Sequence, residues 1–472
     1  MSAPAAARAA RFSLRPMVVL GLVNLVDQID MAILRGVLPI LEEEWNLSDL
    51  QLGILGFAFI VVNTLATIPA GWVADRYRRN KVMGWTLVSW TGLITLSATA
   101  VNYVNLVLAR AVMGIGQSID DPASTSLLGD YYPARLRARA FSLQQIAMFL
   151  GSGIGLGLGG YVGSTLGWRW AFAIVGIPGS VVALVVFRMR EPRRAEADLI
   201  EQGIDVASLP EEEDAARRRD SGLSVAQFLR QAGRELVSEL RMIFGIRTMR
   251  YILVGVSALL FTVSGIGYWL AVYHDRFSGM SLTQATTFTA LVMAVGGGIG
   301  TLLGGTISDR SYRRGPGGRI AVVVWSAVGC AVLFLISFNV GSVPLRLALQ
   351  FVGILSGAGA VPGLRASMLD VIPAENRGVG ASAFALASAV FGTALAPPLV
   401  GAISDATGSL VTSFHIVFPP AILGILLLLR ARKTIVQDAE AIITAIMNRS
   451  EATEVEAVEE PAVSAAMPGG AA

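Results

Sequence analysis

The sequence predicts an all-α membrane protein of twelve transmembrane helices in two six-helix bundles, with the N and C termini both cytoplasmic. Three observations predict it. Of 472 residues, 54% are hydrophobic and 15% charged, against roughly 25% charged in a typical soluble domain. The chain divides into twelve apolar stretches of spanning length, each near the ~20 residues that a bilayer core requires. A motif also recurs: GWVADRYRRNKV from Gly71 to Val82 returns as GGTISDRSYRR from Gly304 to Arg314, and YYPARLRARA (Tyr131 to Ala140) is echoed by VIPAENRGVGA (Val371 to Ala381) at nearly the same offset. Two pairs of loops in matching positions mean a duplicated unit, and inverted or parallel repeats that rock about a central site are how secondary transporters are built.

The spans fall near 16–40, 51–74, 82–101, 105–130, 138–163, 168–187, 251–274, 284–308, 320–339, 344–370, 378–403 and 411–430. Arg8, Arg11 and Arg15, both DR loops, PARLRAR, RMREPRR, Arg377 and the final RARK all fall on one side, which the positive-inside rule assigns to the cytoplasm. The opposite loops carry Glu42, Glu43 and Glu44 or short turns such as Asn102 to Asn105. Span one follows three arginines as a signal peptide would, but it is about 25 residues long, contains Asp27 and Asp30, and lacks a small-residue cleavage site. It reads as the first helix of the mature protein.

The expected units are an N-terminal six-helix bundle over 1–187, a cytoplasmic linker over 188–250, a C-terminal six-helix bundle over 251–433, and a mostly disordered cytoplasmic tail over 434–472. In the linker, Val225, Phe228, Leu229, Ala232, Leu236, Leu240 and Ile243 recur at helical spacing behind a Ser224/Gln227 capping box. That pattern predicts an amphipathic helix on the inner membrane surface, tethering the second half.

In these loops and helices the chain resembles the major facilitator superfamily. Gly71, Asp75, Arg76, Arg78 and Arg79 fill its G-x-x-x-D-R-x-x-R-R loop motif, Gly305, Asp309, Arg310, Arg313 and Arg314 repeat it, and Arg110, Gly114 and Gly116 match its R-x-x-x-G-x-G on helix 4. A narrower resemblance is to the spinster-like branch, which transports lysophospholipids and sphingosine phosphate. NLVDQIDMAILRGVLP keeps Asn24, Asp27, Gly36, Val37, Leu38 and Pro39 of that branch's first-helix pattern, while Gln28 stands where it has arginine and the internal spacing is two residues longer. On helix 4, Gln117 stands where the branch has glutamate, with Asp120 and Asp121 one turn later; GSGIG (Gly151 to Gly155) and GWRWAF (Gly167 to Phe172) add to the likeness. The resemblance implies a cavity lined by helices 1, 4, 7 and 10. It also implies that loop aspartates and arginines latch the two bundles: Asp75, Arg76, Arg79, Asp130, Arg137 and Arg139 in one half, and Asp309, Arg310, Asp370 and Arg377 in the other.

Physics points independently to the intramembrane acids, because a carboxylate at mid-bilayer costs ~2.5–3.5 kcal/mol on insertion scales and normally faces a cavity or a partner. Asp27 lies ~18 Å up helix 1 from Arg15 and Asp120 ~20 Å above Pro133, which puts both near the midplane. Asp27 and Asp30 share a helical face. Asp27, Asp30, Asp120 and Asp121 are therefore the candidate proton-coupling residues, against the alternative that they pair with Arg35, Arg110 or backbone amides and hold helices together. Arg35, Arg110 and Arg365 are candidate anion contacts, since guanidinium grips carboxylate or phosphate bidentately; Asn63, Gln117, Tyr268 and Trp269 complete the candidate substrate site. Tyr273 and His274 are expected to mark the outer boundary.

Other classes are disfavoured. The glycine runs at 151–160, 296–305 and 353–363 lie in apolar helices with no preceding strand and no GK[ST], so they read as packing surfaces, not nucleotide loops. No nucleophile–base pair, no catalytic residue, no metal site and no cofactor is evident, with Cys330, His274 and His415 the sole Cys and His residues. The expected function is secondary active transport of an amphipathic or lipid-like organic anion, lysophospholipid-like, by alternating access with proton coupling. A small polar metabolite or drug exchanger is the alternative within transport, and a non-transporting membrane sensor lies outside it. Expected partners are membrane lipids, the small-molecule or lysolipid substrate and protons, with no nucleic acid and a monomeric state. The alanine- and arginine-rich composition without a eukaryotic targeting signal points to a bacterial cytoplasmic membrane, crossed many times.

Overall fold

In the computed structural model the described residues are 12–202 and 244–438, except 195, 314, 316 and 370–383, together with isolated positions between 203 and 243. The described residues are almost entirely helical. The first half comprises α1 (Arg15–Trp45), α2 (Asp49–Arg76), α3 (Arg79–Ser97), α4 (Tyr103–Gln117), α5 (Asp120–Tyr131), α6 (Ala134–Leu166) and α7 (Trp168–Phe187). A short α8 (Glu196–Glu201) follows. The second half comprises α9 (Arg247–Phe277), α10 (Leu282–Tyr312), α11 (Gly317–Asn339), α12 (Val343–Ala358), α13 (Ala360–Leu369), α14 (Phe384–Thr407) and α15 (Leu410–Asp438).

Among the described residues, ten helical stretches are long and apolar enough to cross a membrane. The α3 helix and the α4–α5 pair fall outside that set. Two expected continuous spans are broken: 105–130 divides at Ser118 and Ile119, and 344–370 divides at Gly359. The breaks occupy corresponding places in the two halves, which is where transporters of repeated architecture unwind helices to build a site. All but isolated positions of the expected linker helix over Val225–Ile243, the tail beyond Asp438, and the motif residues Asp370 and Arg377 lie outside the described residues, while 434–438, expected in the tail, continue α15.

The repeat is visible in the caps. Ser48 and Gln51 form a capping box at the start of α2, and Ser281 and Gln284 form one at the start of α10, within one residue of the offset that separates Asp75 from Asp309. Each box satisfies amides that the first helical turn would otherwise leave unpaired.

Packing follows the small residues. The α1 helix packs most extensively on α6, whose Gly151, Gly155 and Gly159 recur every fourth residue; a Cβ at Gly155 would sit 2.2 Å from the Ile29 carbonyl oxygen, and one at Gly159 would sit 2.6 Å from that of Ile33. Such stripes let backbones approach closely where lipid supplies no hydrophobic drive between helices. The halves meet through α2 against α14 and through α6 against α10. At the first contact a Cβ on Gly53 would lie 2.6 Å from the Pro397 carbonyl, and one on Gly401 would lie 2.3 Å from that of Asp49.

Tyr273 and His274, expected at the outer boundary, lie near the C-terminal end of α9 and are both buried. Tyr273 is buried in a ring cluster with Phe277, Phe338 and Phe414. His274 is fully buried, with Nε2 2.8 Å from Gln350 Oε1 and Nδ1 2.9 Å from Ser278 Oγ. Covered in this way, the pair packs the interior of the second half.

Candidate functional site

Between the halves lies a cavity of about 370 Å³, lined from the first half by Asn24, Asp27, Gln28, Asn63, Gln117, Asp120 and Asp121 and from the second by Ala389 and Thr393. Its position follows from the breaks in regular helix. The end of α4 presents Gln117, the start of α5 presents Asp120 and Asp121, and Ala389 and Thr393 stand on a π-helical segment of α14, Ser388–Ala394. Single π-turns inside α-helices are common at functional sites because they re-aim side chains.

The four acids are not equivalent. Asp30 is fully buried and holds Arg110, itself 1% exposed, through Nη1 at 3.2 and 3.4 Å; Gln117 Nε2 donates to the same carboxylate at 3.3 Å. The guanidinium of Arg110 also lies over the Phe59 and Phe172 rings at 5.5 and 6.0 Å. That arrangement is an interhelical ion pair linking α1 to α4, the pairing alternative weighed from sequence. Asp27 accepts from Gln28 Nε2 at 3.0 Å and faces the cavity. Asp120 is 6% exposed, and neither of its oxygens accepts a hydrogen bond; its electrostatic neighbours are Asp27 and Asp121. Asp121 is exposed, lines the cavity and interacts electrostatically with Arg365 of α13.

The remaining candidates spread around this centre. Asn63 lines the cavity and donates to the Gly114 carbonyl at 3.2 Å, tying α2 to α4. Arg35 is half-buried two turns along α1 from Asp27, interacts electrostatically with the Tyr268 hydroxyl, and forms no ion pair with a described carboxylate. Tyr268 and Trp269 do not line the cavity. The Tyr268 hydroxyl donates to the Leu52 carbonyl at 2.8 Å and Trp269 Nε1 to that of Pro397 at 3.1 Å, so Tyr268 bridges the halves and Trp269 secures α9 to α14.

At the end bearing the basic loops, Arg79 is buried among Asp130 at 2.5 Å, Glu191 at 2.8 Å, Ser126 at 2.7 Å and the Pro192 carbonyl at 3.2 Å. Arg137 reaches the Gly129 carbonyl and Asp198, and Arg190 pairs with Glu196. These gate candidates therefore engage the residues just after α7, within the first half. Asp309 lies 3.8 Å from Arg319 in the second half, and Arg310 is exposed. The side chains of Asp75, Arg76 and Arg139 lie outside the described set.

Sequence reasoning missed the opposite end. There Arg276 of α9 reaches across to Glu42 of α1 at 2.6 Å and to both oxygens of Asp49 of α2 at 2.7 and 3.1 Å. Beside it the Asp405 carboxylate of α14 accepts from the Asp49 and Leu50 amides, each at 2.9 Å, at the N-terminus of α2, where helix dipole and free amides favour an anion. One signal was available: GAISD, Gly401 to Asp405, repeats the G-x-x-x-D spacing of the loop motifs.

The sequence matches the Major Facilitator Superfamily model over residues 20–390 and again over 279–451. A gallate transporter of Pseudomonas putida is 29% identical over 76% of this chain and 79% of its own length. Human protein spinster homolog 1 is 30% identical over 38% of this chain and 35% of its own. The fold matches a bacterial homolog of the human lysosomal transporter Spinster in an inward-facing, unoccupied conformation, with a TM-score of 0.70 at 19% identity, covering 92% of this chain and 98% of that one. A nucleoside transporter, NupG, gives a TM-score of 0.66 at 12% identity, covering 88% of this chain and 99% of that one.

Proposed function

Because the chain belongs to the major facilitator superfamily and is a multi-pass membrane transporter of that family, we propose that it moves an amphipathic or lipid-like organic anion by alternating access, driven by protons. The observation that carries this reading is the charge count at the cavity. Asp27, Asp120 and Asp121 line it, Asp30 pairs with Arg110 beside it, and Arg365 acts electrostatically on Asp121. Arg110 is thus spent on Asp30. Asp27 feels Arg110 only at a distance, and neither it nor Asp120 forms an ion pair with a described cation, in a region where an unpaired charge is costly. They are the groups that gain most from a proton, and Arg365 is the cation most open to a substrate anion. Arg35, without a carboxylate partner, is the second anion contact.

In this reading the chain crosses a bacterial cytoplasmic membrane twelve times as a monomer, with α3 and the α4–α5 pair completing the ten apolar spans, and the basic loops lie in the cytoplasm. The Arg276 and Asp405 contacts then close the outer end, which corresponds to an inward-facing state. Outward opening requires those contacts to break and the Arg79 and Arg137 clusters to re-form against the second half. Protonation of Asp27 and Asp120 removes surplus negative charge as the substrate anion enters, so the two moves are linked by mutual electrostatics.

A lysophospholipid-like substrate is favoured by the likeness to Spinster in fold and by the first-helix motif. A small aromatic or sugar-derived acid is the second reading, favoured by the gallate transporter, whose similarity runs over twice as much of this chain. Uptake into proteoliposomes of a labelled lysophospholipid and of a benzoate-type acid, with and without an inward proton gradient, separates the two. Gradient-driven uptake that is lost in Asp27→Asn while exchange persists supports the coupling role; unchanged pH dependence removes it.

A further inference from the structure

The cavity acids account for proton binding, but they leave other polar atoms unexplained. Asn24 Oδ1, Gln117 Oε1 and both oxygens of Asp120 are buried acceptors with no hydrogen-bond donor, and all three residues line the same cavity. The orientation of Gln117 is set by its own amide, because Nε2 donates to Asp30 Oδ2, so Oε1 is turned away from the Arg110 pair. A single proton on Asp120 would supply one donor for these acceptors. A metal cation satisfies several oxygens at once.

We propose that this cavity binds a sodium ion, held by the Asp120 carboxylate with the amide oxygens of Gln117 and Asn24 and completed by water. Oxygen-only donors select hard cations. The charge state selects a monovalent one: among the described residues no three acidic or histidine side chains converge on a metal position, and one carboxylate with neutral oxygens matches a single positive charge. The backbone contributes on one side: Gln117 ends α4, whose C-terminal carbonyl dipoles favour a cation, whereas Asp120 opens α5, whose N-terminal dipole opposes one, so the Asp120 carboxylate supplies the attraction there. Asp27 from α1 and Asp121 from α5 add negative potential around the ion, Arg365 opposes it from α13, and the Arg110–Asp30 pair is internally neutral. Sodium ion and proton therefore compete for Asp120. The proposal rests on the transport reading for its role in coupling, while binding of the ion stands independently of any substrate.

The test is equilibrium binding of ²²Na⁺ to the purified full chain in lipid nanodiscs at pH 8 and pH 5.5. The expected result is saturable binding near one ion per chain, displaced by unlabelled sodium more readily than by potassium, weakened at least tenfold at pH 5.5, abolished in Asp120→Asn and retained in Glu43→Gln. Gln117→Leu, which removes the amide oxygen without removing charge, is expected to weaken binding at least tenfold and serves if Asp120→Asn does not fold. No binding above empty nanodiscs by a wild-type preparation that still carries out gradient-driven uptake overturns the sodium site and leaves the transport proposal intact. Binding unchanged in both variants also overturns it, because the ion then sits elsewhere. Sodium binding without transport of any anion sustains the site and refutes the transport reading.

Discussion

Replacing Arg276 with glutamine should loosen the acidic end of the molecule. In the present conformation its guanidinium makes three hydrogen bonds to Glu42 and Asp49, with side-chain exposures of 25%, 33% and 9% for the three residues in that order. A hydrogen bond to a charged group contributes about 1.5–3 kcal/mol when sheltered, whereas an exposed ion pair contributes about 0–1 kcal/mol. Arg276 and Glu42 are partly solvated and Asp49 is not, so the cluster as a whole is worth about 1–2 kcal/mol, a factor of about 5–30 in the ratio of closed to open forms at that end. The assay is distance measurement between spin labels at Val101→Cys and Ser342→Cys, two exposed positions at that end of opposite halves, in a Cys330→Ala background. Arg276→Gln should raise the long-distance population by that factor. High salt should shift wild type in the same direction and leave the variant nearly unmoved, because screening acts on the pairs the variant lacks. An unchanged distance distribution in a folded variant would refute the latch.

Other outcomes follow from the same geometry. Asp405→Asn should open the same end and add to Arg276→Gln by less than the sum, since both act on the first turn of α2; the double variant in the same distance assay reads this coupling. Asp30→Ala should lower thermal stability in detergent by about 3–5 kcal/mol, because it strands a buried guanidinium, and Asp30→Ala with Arg110→Met should recover most of that loss. Gly155→Ala should cost about 1–3 kcal/mol by forcing α1 from α6, while Gly298→Ala, whose Cβ meets nothing within 4 Å, should be neutral by the same thermal assay. Glu191→Ala leaves Arg79 with Asp130 as its remaining described carboxylate partner and should destabilise the first half by about 1–3 kcal/mol.

The helices were legible because each needs a long apolar run, and the duplication was legible because Gly71, Asp75, Arg76 and Arg79 keep their spacing in Gly305, Asp309, Arg310 and Arg313. Asp27 and Asp120 stood out as charges in such runs, and the structure brings them onto one cavity. The breaks were harder. Ser118 and Ile119 carry no helix-breaking signature, so the end of α4 depends on packing, whereas the second break falls at Gly359, with Pro362 close behind. The Arg276–Glu42–Asp49–Asp405 cluster joins residues more than 200 positions apart, and no local periodicity reports such a pairing. The cover that Phe338, Gln350 and Phe414 give Tyr273 and His274 was hidden for a related reason, since it comes from residues distant in the chain.

The most direct test of the central claim is uptake of labelled lysophospholipid and of a benzoate-type acid by proteoliposomes holding the full chain, with and without an imposed proton gradient. The account predicts accumulation of one of these anions that follows the gradient in wild type and collapses to gradient-independent exchange in Asp27→Asn. Uptake of neither anion, or uptake of either that is indifferent both to the gradient and to Asp27→Asn, would contradict it.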